Sequence, residues 1–247
     1  MAAVLRVDEG YQTVSTAPDA PDPDMGSNEY ILKSEHRQGD TIAGLAAVGA
    51  AALIFLTTAI LIITNNPLAL SWFSFHAPFN VFALLLLVLA VTQLQPTANP
   101  RTKAAGLSRH WLGAAPALLL VVLGTAAMLT NKAVHDAPHF TTWHGLFGII
   151  VLGLLVAQAA FGASTVFFDG KVFGGAAKAK MWWKYHRLSG YIVLPLMLLT
   201  VHLGGAWSVW VEMHTAYVVR LIVYTIAPIA VACGLVARIR PSKMNFS

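Results

Sequence analysis

Four histidines recur along this chain, each close to the start of a long apolar segment. They are His76, His110, His144 and His186, and the first three lie 34 residues apart. Histidine is costly in lipid unless it has a partner, so its repetition at one depth indicates a role. Neutral imidazole is a ligand for haem iron, zinc or copper. We therefore interpret the four histidines as candidate metal ligands.

The segments that carry these histidines are long enough to cross a membrane. Of 247 residues, 57% are hydrophobic and only 11% are charged, whereas soluble domains carry about 25% charged residues. A transmembrane helix needs about 20 apolar residues. The sequence therefore predicts an all-α membrane protein with six transmembrane helices. Their predicted positions are about 42–63, 74–94, 110–130, 142–163, 186–209 and 217–237.

Three regions are predicted. Residues 1–40 are expected to form a disordered tail because they are rich in proline and aspartate and lack apolar periodicity. Residues 41–240 form the membrane domain, in which 164–185 is expected to be the one long loop, and 241–247 form a short second tail. The single cysteine excludes a disulfide framework, and we expect its thiol to be buried.

The basic residues predict the orientation of the chain. Six spans place both termini on one side of the membrane, and 14 of the 16 Lys and Arg residues lie on that side. By the positive-inside rule both termini are therefore expected to be cytoplasmic. The net charge of +5 is thus explained without a nucleic-acid partner. Nothing in the sequence favours an endomembrane, a vesicle or the plasma membrane.

The direction of each span sorts the histidines into two pairs. Spans 2 and 4 run inward, so His76 and His144 lie on the non-cytoplasmic side. Spans 3 and 5 run outward, so His110 and His186 lie on the cytoplasmic side. In an antiparallel four-helix arrangement helices 2 and 4 are diagonal partners, as are helices 3 and 5. Helices 2–5 are therefore predicted to form a four-helix bundle with a bis-histidine site near each face.

Two features favour haem over zinc at these sites. Each site offers two histidines with no nearby Cys, Asp or Glu to complete a tetrahedral zinc set. Gly113, Gly148 and Gly190 follow their histidines by three or four residues, so they share a helix face on which a porphyrin has room. The alternative for these glycines is helix–helix packing, which also selects small residues in membranes.

A fifth histidine, His202, leaves three alternatives open. It lies in span 5, sixteen residues after His186, at a depth near that of His76 and His144. It could replace His76 as a ligand, lie beside that site as a polar neighbour, or face the bundle without a role.

The histidine motifs, in order and at this spacing, resemble those of the cytochrome b561 family over about residues 72–205. They are His76 at the start of span 2, Arg109-His110-Trp111, His139-Phe-Thr-Thr-Trp-His144-Gly145 and Lys184-Tyr-His186-Arg-Leu-Ser-Gly190-Tyr191. The chain is similar to the compact members, which lack an attached soluble domain. The resemblance implies two haem b groups per chain, with the pairing described above. One departure is that proline follows the first ligand one position later than in many members, as Pro78.

The resemblance also implies an activity and partners. The family transfers electrons from cytoplasmic ascorbate to monodehydroascorbate or a ferric chelate on the other side, so an ascorbate-dependent oxidoreductase or ferric reductase is expected. Homodimers are typical of the family. In the family, a histidine at the position of His139 lies near the non-cytoplasmic substrate. A lysine a little before the third-span ligand binds ascorbate; here Lys103 is seven residues before His110.

Basic side chains near the entries of spans 3 and 5 would attract an anionic reductant. They are Lys103, Arg109, Lys180, Lys184 and Arg187. The alternative is that they only reflect the positive-inside rule.

The sequence leaves two other functions open. A histidine-box enzyme needs clustered histidines on one face, and only His135, His139 and His144 cluster here. A multispan transporter or structural membrane protein without haem would leave the four histidines incidental.

Overall fold

The computed structural model of the chain describes residues 38–94, 97 and 100–240. These residues are mostly helical and include no strand. Six of the helical segments are long and apolar enough to cross a membrane, so the predicted all-α class and the number of spans are confirmed. The tails predicted at 1–40 and 241–247 lie outside the described residues, apart from 38–40, where the first helix begins.

Eight α-helices are found in the described residues. They are α1 (Asp40–Thr64), α2 (Phe73–Thr92), α3 (Pro100–Val134), α4 (Trp143–Val166), α5 (Ala176–Trp207), α6 (Val209–His214), α7 (Tyr217–Leu221) and α8 (Ala227–Ala237). A 3-10 turn, Phe167–Phe173, follows α4, and a π-helical turn, Ile222–Ile226, joins α7 to α8. The sixth span consists of α7, the π turn and α8.

Helices α3 and α5 begin about ten residues before the predicted spans. They start at Pro100 and Ala176 rather than at 110 and 186. Their first turns contain alanine and lysine, which are strong helix formers, so the helix continues beyond its apolar part. The loop predicted at 164–185 is correspondingly short, because α4 and the 3-10 turn occupy its first half and α5 its second. Hydropathy located the apolar parts of these helices, but not their ends.

The long helices pack as two hairpins, α2 with α3 and α4 with α5, while α1 packs on both α2 and α8. In the described part of the chain, the two hairpins approach each other extensively only where α3 packs against α4. Helices α2 and α4 therefore belong to different hairpins, as do α3 and α5. This is the diagonal relationship that the sequence predicts for the paired histidines.

Apolar side chains cover much of the outer surface of the bundle, as lipid requires. Leu56, Ile192 and Ile229 are each more than half exposed in the isolated chain. Cys233 is also exposed, so the expectation of a buried thiol is wrong. Hydrophobicity all around a membrane helix hides which face is inward, because lipid and core accept the same side chains.

A buried arginine fastens α1, α2 and α8 together at one end of the bundle. The Arg238 side chain is fully buried and donates to the backbone oxygen of Thr92 at 2.9 Å and to that of Asp40. Arg240 forms an ion pair with the Asp40 carboxylate. The bond to Thr92 satisfies a carbonyl at the C-terminal end of α2, where a helix leaves its last carbonyls without helical partners.

Candidate functional site

His76 and His144 face each other from different hairpins. Their ring centroids lie 5.9 Å apart and the ring planes make an angle of 83°. His76 is in the first turn of α2 and His144 is in the first turn of α4. The Thr142 hydroxyl accepts from the Gly145 amide at 3.1 Å, and this cap begins α4 directly before His144.

Backbone carbonyls orient both rings of this pair. The His76 Nδ1 lies 2.9 Å from the Gly124 oxygen on α3, and the His144 Nδ1 lies 2.9 Å from the Thr200 oxygen on α5. A carbonyl can only accept, so each Nδ1 carries the proton and donates it. Each Nε2 is then unprotonated and able to bind a metal ion, with the Nδ1 bond setting the ring direction.

His110 and His186 form the second pair. Their ring centroids are 6.3 Å apart and the ring planes make an angle of 78°. Both Nδ1 atoms are buried and have no hydrogen-bond partner among the described residues. The backbone oxygens of Ala90 and Gln158 lie near these rings without reaching hydrogen-bond geometry. Buried imidazoles with polar atoms left unsatisfied suit a ligand role.

The spacing within each pair fits two axial ligands on one metal ion. With metal–nitrogen bonds of about 2 Å, two imidazoles on opposite sides of an ion have centroids about 6 Å apart. Among the described residues no group of three or more His, Cys, Asp or Glu side chains can hold a metal ion. The described residues therefore form no structural zinc site, whereas haem needs only two protein ligands.

Glycines on neighbouring helices give the rings their space. A Cβ on Gly162 would lie 2.6 Å from Cε1 of His186, and one on Gly204 would lie 2.6 Å from Cε1 of His144. Both distances are too short for real side chains. Within the hairpin of α4 and α5, each helix thus supplies a glycine to the histidine of the other. The room expected around the histidines is present, but it lies on the facing helix.

The three glycines singled out in the sequence have other neighbours. A Cβ on Gly113 would lie 2.9 Å from the Ala90 Cβ, so close packing of α2 on α3 accounts for this glycine. A Cβ on Gly190 would lie 3.0 Å from the Gln158 amide nitrogen, and one on Gly148 would make only an ordinary contact with Thr200. The alternative of helix packing thus describes Gly113 better than contact with a porphyrin.

Two carboxamides that the sequence analysis did not single out lie beside the histidines. The Asn80 amide donates to the His76 backbone oxygen at 2.7 Å. The Gln158 amide donates to the His186 backbone oxygen at 2.6 Å, and its own oxygen accepts from the Ser189 hydroxyl at 2.6 Å. Each is an isolated polar side chain in an apolar span, and this isolation is the sequence feature by which a functional role could have been predicted.

His202 faces the sixth span and uses both ring nitrogens there. Its Nε2 accepts from the Trp207 indole at 3.1 Å, so Nδ1 carries the proton and donates to the Tyr224 oxygen at 2.8 Å. Pro228 follows Tyr224 by four residues and has no N–H for that oxygen. The histidine therefore satisfies a carbonyl that proline leaves unpaired. Of the three alternatives, the structure favours a position facing the bundle.

The basic residues predicted to attract a reductant differ in exposure. Lys103 and Lys180 are exposed, the Lys184 ammonium lies 5.4 Å from the centre of the Tyr185 ring, and Arg109 donates to Gln93 at 3.3 Å. Arg187 is half-buried. Their role at a substrate stays a prediction.

On the side of the first histidine pair, His139 is exposed in the connection from α3 to α4. The Lys132 ammonium donates to the Pro138 oxygen at 2.6 Å and so holds the chain directly before His139. His135 bonds back to the Asn131 oxygen at 2.7 Å. A contact between His139 and a substrate also stays a prediction.

An aromatic cluster extends from the second histidine pair to the protein surface. The Phe161 ring centroid is 5.9 Å from that of His186, and it also contacts Phe173 and Trp182. Trp182 in turn contacts the exposed Tyr185 ring at 5.5 Å. No sequence pattern predicts this cluster, because its members come from three separate elements, α4, the 3-10 turn and α5.

The comparison with protein families agrees with this geometry. Residues 97–212 match a family model described as eukaryotic cytochrome b561. The matched segment contains His110, His144 and His186, whereas His76 lies before it. No curated protein and no solved structure matches the chain. Members of the family bind haem b and transfer electrons across a membrane as integral oxidoreductases. The chain, with its paired histidines on six membrane-spanning segments, thus carries a cytochrome b561 family domain at residues 97–212.

Proposed function

We propose that the chain carries electrons through two haem b groups, from cytoplasmic ascorbate to monodehydroascorbate or a ferric chelate on the opposite side. The observation that carries this proposal is the spacing of two histidine pairs, each suited to one iron, at two levels of the bundle. Gly124, which accepts from His76, is fourteen residues along α3 from His110. At 1.5 Å per residue the two levels are about 21 Å apart along that helix.

The protein's contribution is to hold and shield the two sites. Each haem, when bound, supplies a one-electron redox centre. His76 and His144 would hold one group and His110 and His186 the other. The Nδ1 bonds to Gly124 and Thr200 direct the first pair of rings.

Basic side chains support an anionic reductant at the second pair. Lys103, Arg109, Lys180, Lys184 and Arg187 precede or follow His110 and His186 closely in sequence. We expect replacement of Lys103 and Lys180 by Gln to raise the KM for ascorbate severalfold and to weaken its dependence on ionic strength. Steady-state reduction in nanodiscs measures this. Gln at Lys171, which is exposed on the same stretch but further from His186 in sequence, is the control.

Orientation and assembly belong to the same proposal. The excess of basic residues on the side of the termini supports cytoplasmic N- and C-termini, and His139 would then lie near the acceptor. Labelling of terminal tags in sealed vesicles tests the orientation. The family resemblance supports a homodimer, which native mass spectrometry in nanodiscs tests directly.

The decisive experiment is the haem content and the reduced-minus-oxidised spectrum of purified protein, with ascorbate as reductant. We expect two b haems per chain, and about one in both the His110→Ala and the His76→Ala variants. A chain that takes up no haem from an adequate supply would contradict the proposal and favour a transporter or structural protein. If haem is present but ascorbate does not reduce it, the electron donor is a different molecule.

A further inference from the structure

Each histidine pair has a carboxamide beside it, and the two arrangements share their parts. In each hairpin the carboxamide stands on the first helix and lies against a glycine of the second. Asn80 of α2 lies against Gly124 of α3, and Gln158 of α4 lies against Gly190 of α5. In each case the amide donates to the backbone oxygen of a paired histidine.

The contact at the first pair restrains the His76 ring. The Asn80 amide nitrogen is 3.4 Å from the His76 Nδ1. Both atoms are donors, because Nδ1 already donates to the Gly124 oxygen, so this contact is steric and not a bond. The amide, fixed by its bond to the His76 oxygen, backs the ring and limits its rotation. The ring is therefore held by the carbonyl of Gly124 and by the amide of Asn80.

The contact at the second pair restrains a helix. Gln158 reaches from α4 to α5, donates to the His186 oxygen, and accepts from Ser189, so both ends of its amide are used. Gly162, one turn later on α4, touches the His186 ring itself. One face of α4 therefore holds both the backbone and the ring of His186. The His186 Nδ1 has no hydrogen bond in the described structure. The contacts with Gln158 and Gly162 therefore take the place of the carbonyl bond found at the first pair.

We propose that Asn80 and Gln158 are positioning residues, one for each histidine pair, and that each sets the angle between the two imidazole planes at its own haem. This inference rests on the proposed function, because it assumes that both pairs bind haem. The planes are close to perpendicular, at 83° and 78°. The angle between axial imidazoles determines the electronic structure of the ferric haem, and hydrogen bonding around the ligands tunes its potential.

The test replaces each carboxamide with an apolar residue of similar volume, in the variants Asn80→Leu and Gln158→Met. Low-temperature EPR of the ferric protein reports the angle between the ligand planes, and potentiometric titration reports the midpoint potentials. The His76→Ala and His110→Ala forms assign the signals to the two pairs. We expect Asn80→Leu to shift the signal and potential of the His76–His144 haem only, and Gln158→Met those of the other haem only.

Each haem is the internal control for the other, because a general folding defect would alter both. Thr58→Val removes the 2.9 Å hydroxyl contact with Tyr224, which is not a hydrogen bond to any of the four paired histidines, and should leave both haems unchanged. Gly190→Val should reproduce the Gln158→Met shift, because its side chain displaces the Gln158 amide. It is the second test if Gln158→Met does not fold.

The outcomes separate the two proposals. Wild-type protein without two haems overturns the proposed function. Wild-type protein with two haems, but with EPR signals and potentials unchanged in the carboxamide variants, overturns only this inference. Equal disturbance of both haems in each variant also overturns it, because the residues would then support the bundle in general.

Discussion

At the scale of single residues, the candidate site depends on a few glycines and hydrogen bonds that no regular spacing reveals. The histidine types and their alternation along the chain predict the two pairs, and the structure brings those rings within 5.9 and 6.3 Å. Gly113, Gly148 and Gly190 were expected to make this room because of their offsets of three and four residues from the histidines. Such offsets find neighbours on the same helix, whereas Gly162 and Gly204 contact rings of another helix.

Gly204→Ala should weaken haem binding at the His76–His144 pair. The new Cβ would lie 2.6 Å from the His144 ring, which must move away from its Thr200 bond. We expect about tenfold weaker retention of that haem, as for other changes that misplace a metal ligand. Haem titration of the purified variant measures it. Gly153→Ala is the matched control, because its Cβ meets nothing within 4 Å, and equal loss in both variants would contradict the prediction.

His202→Ala should retain both haems and lose stability. Removing the ring leaves the oxygen of the buried Tyr224 without its partner, at a cost of about 1–3 kcal/mol for a buried group left unsatisfied. Thermal unfolding and the haem-to-protein ratio together check both statements. A variant that loses one haem would instead make His202 a ligand.

At the scale of elements, hydropathy predicts where the chain crosses the membrane but not where its helices end. The third and fifth spans are extended by polar helical turns before His110 and His186, because helix propensity outlasts the apolar pattern. In the sixth span, Pro228 interrupts the ordinary hydrogen bonds and a π-helical turn precedes α8. His202, which bonds to the freed Tyr224 carbonyl, lies on another helix, so a local sequence pattern cannot identify it.

Arg238→Met should loosen the attachment of α1 without affecting the histidine pairs. The guanidinium is fully buried and bonds to the oxygens of Asp40 and Thr92. Its loss leaves the Thr92 carbonyl at the end of α2 unsatisfied, which should cost about 1–3 kcal/mol. We expect a lower unfolding temperature with an unchanged haem spectrum. Arg101→Met, at an exposed position, is the control. An unfolding temperature equal to that of wild type would show that Arg238 contributes nothing.

At the scale of the whole molecule, the histidine pairs connect two hairpins that otherwise approach closely only between α3 and α4 in the described part of the chain. The number of spans and the pairing of the histidine rings were predictable, because an even number of spans and alternating directions leave few arrangements. The close packing within each hairpin and the sparse contact between the hairpins were not predictable, because side-chain packing among apolar residues has no distinctive sequence pattern.

Haem removal should therefore lower the stability of the bundle as a whole. A ligand that binds only the folded arrangement stabilises it in proportion to the logarithm of its concentration relative to its Kd. We expect the haem-free protein to unfold at a lower temperature and to be cleaved faster by protease between α3 and α4. Scanning calorimetry and limited proteolysis of protein made with and without haem supply check this. Identical profiles would show that the hairpins associate without it.

Each hairpin supplies one histidine to each pair, and this division has a consequence for biosynthesis. While the ribosome is still making α5, His76, His110 and His144 are already in the chain but the His110 pair is half-built. No haem can be bound on both sides at that level until the fourth hairpin helix, with His186, has entered the membrane. Loading at the His110 level thus reports that α5 has been inserted, and a chain truncated before α5 is distinguishable by its missing haem.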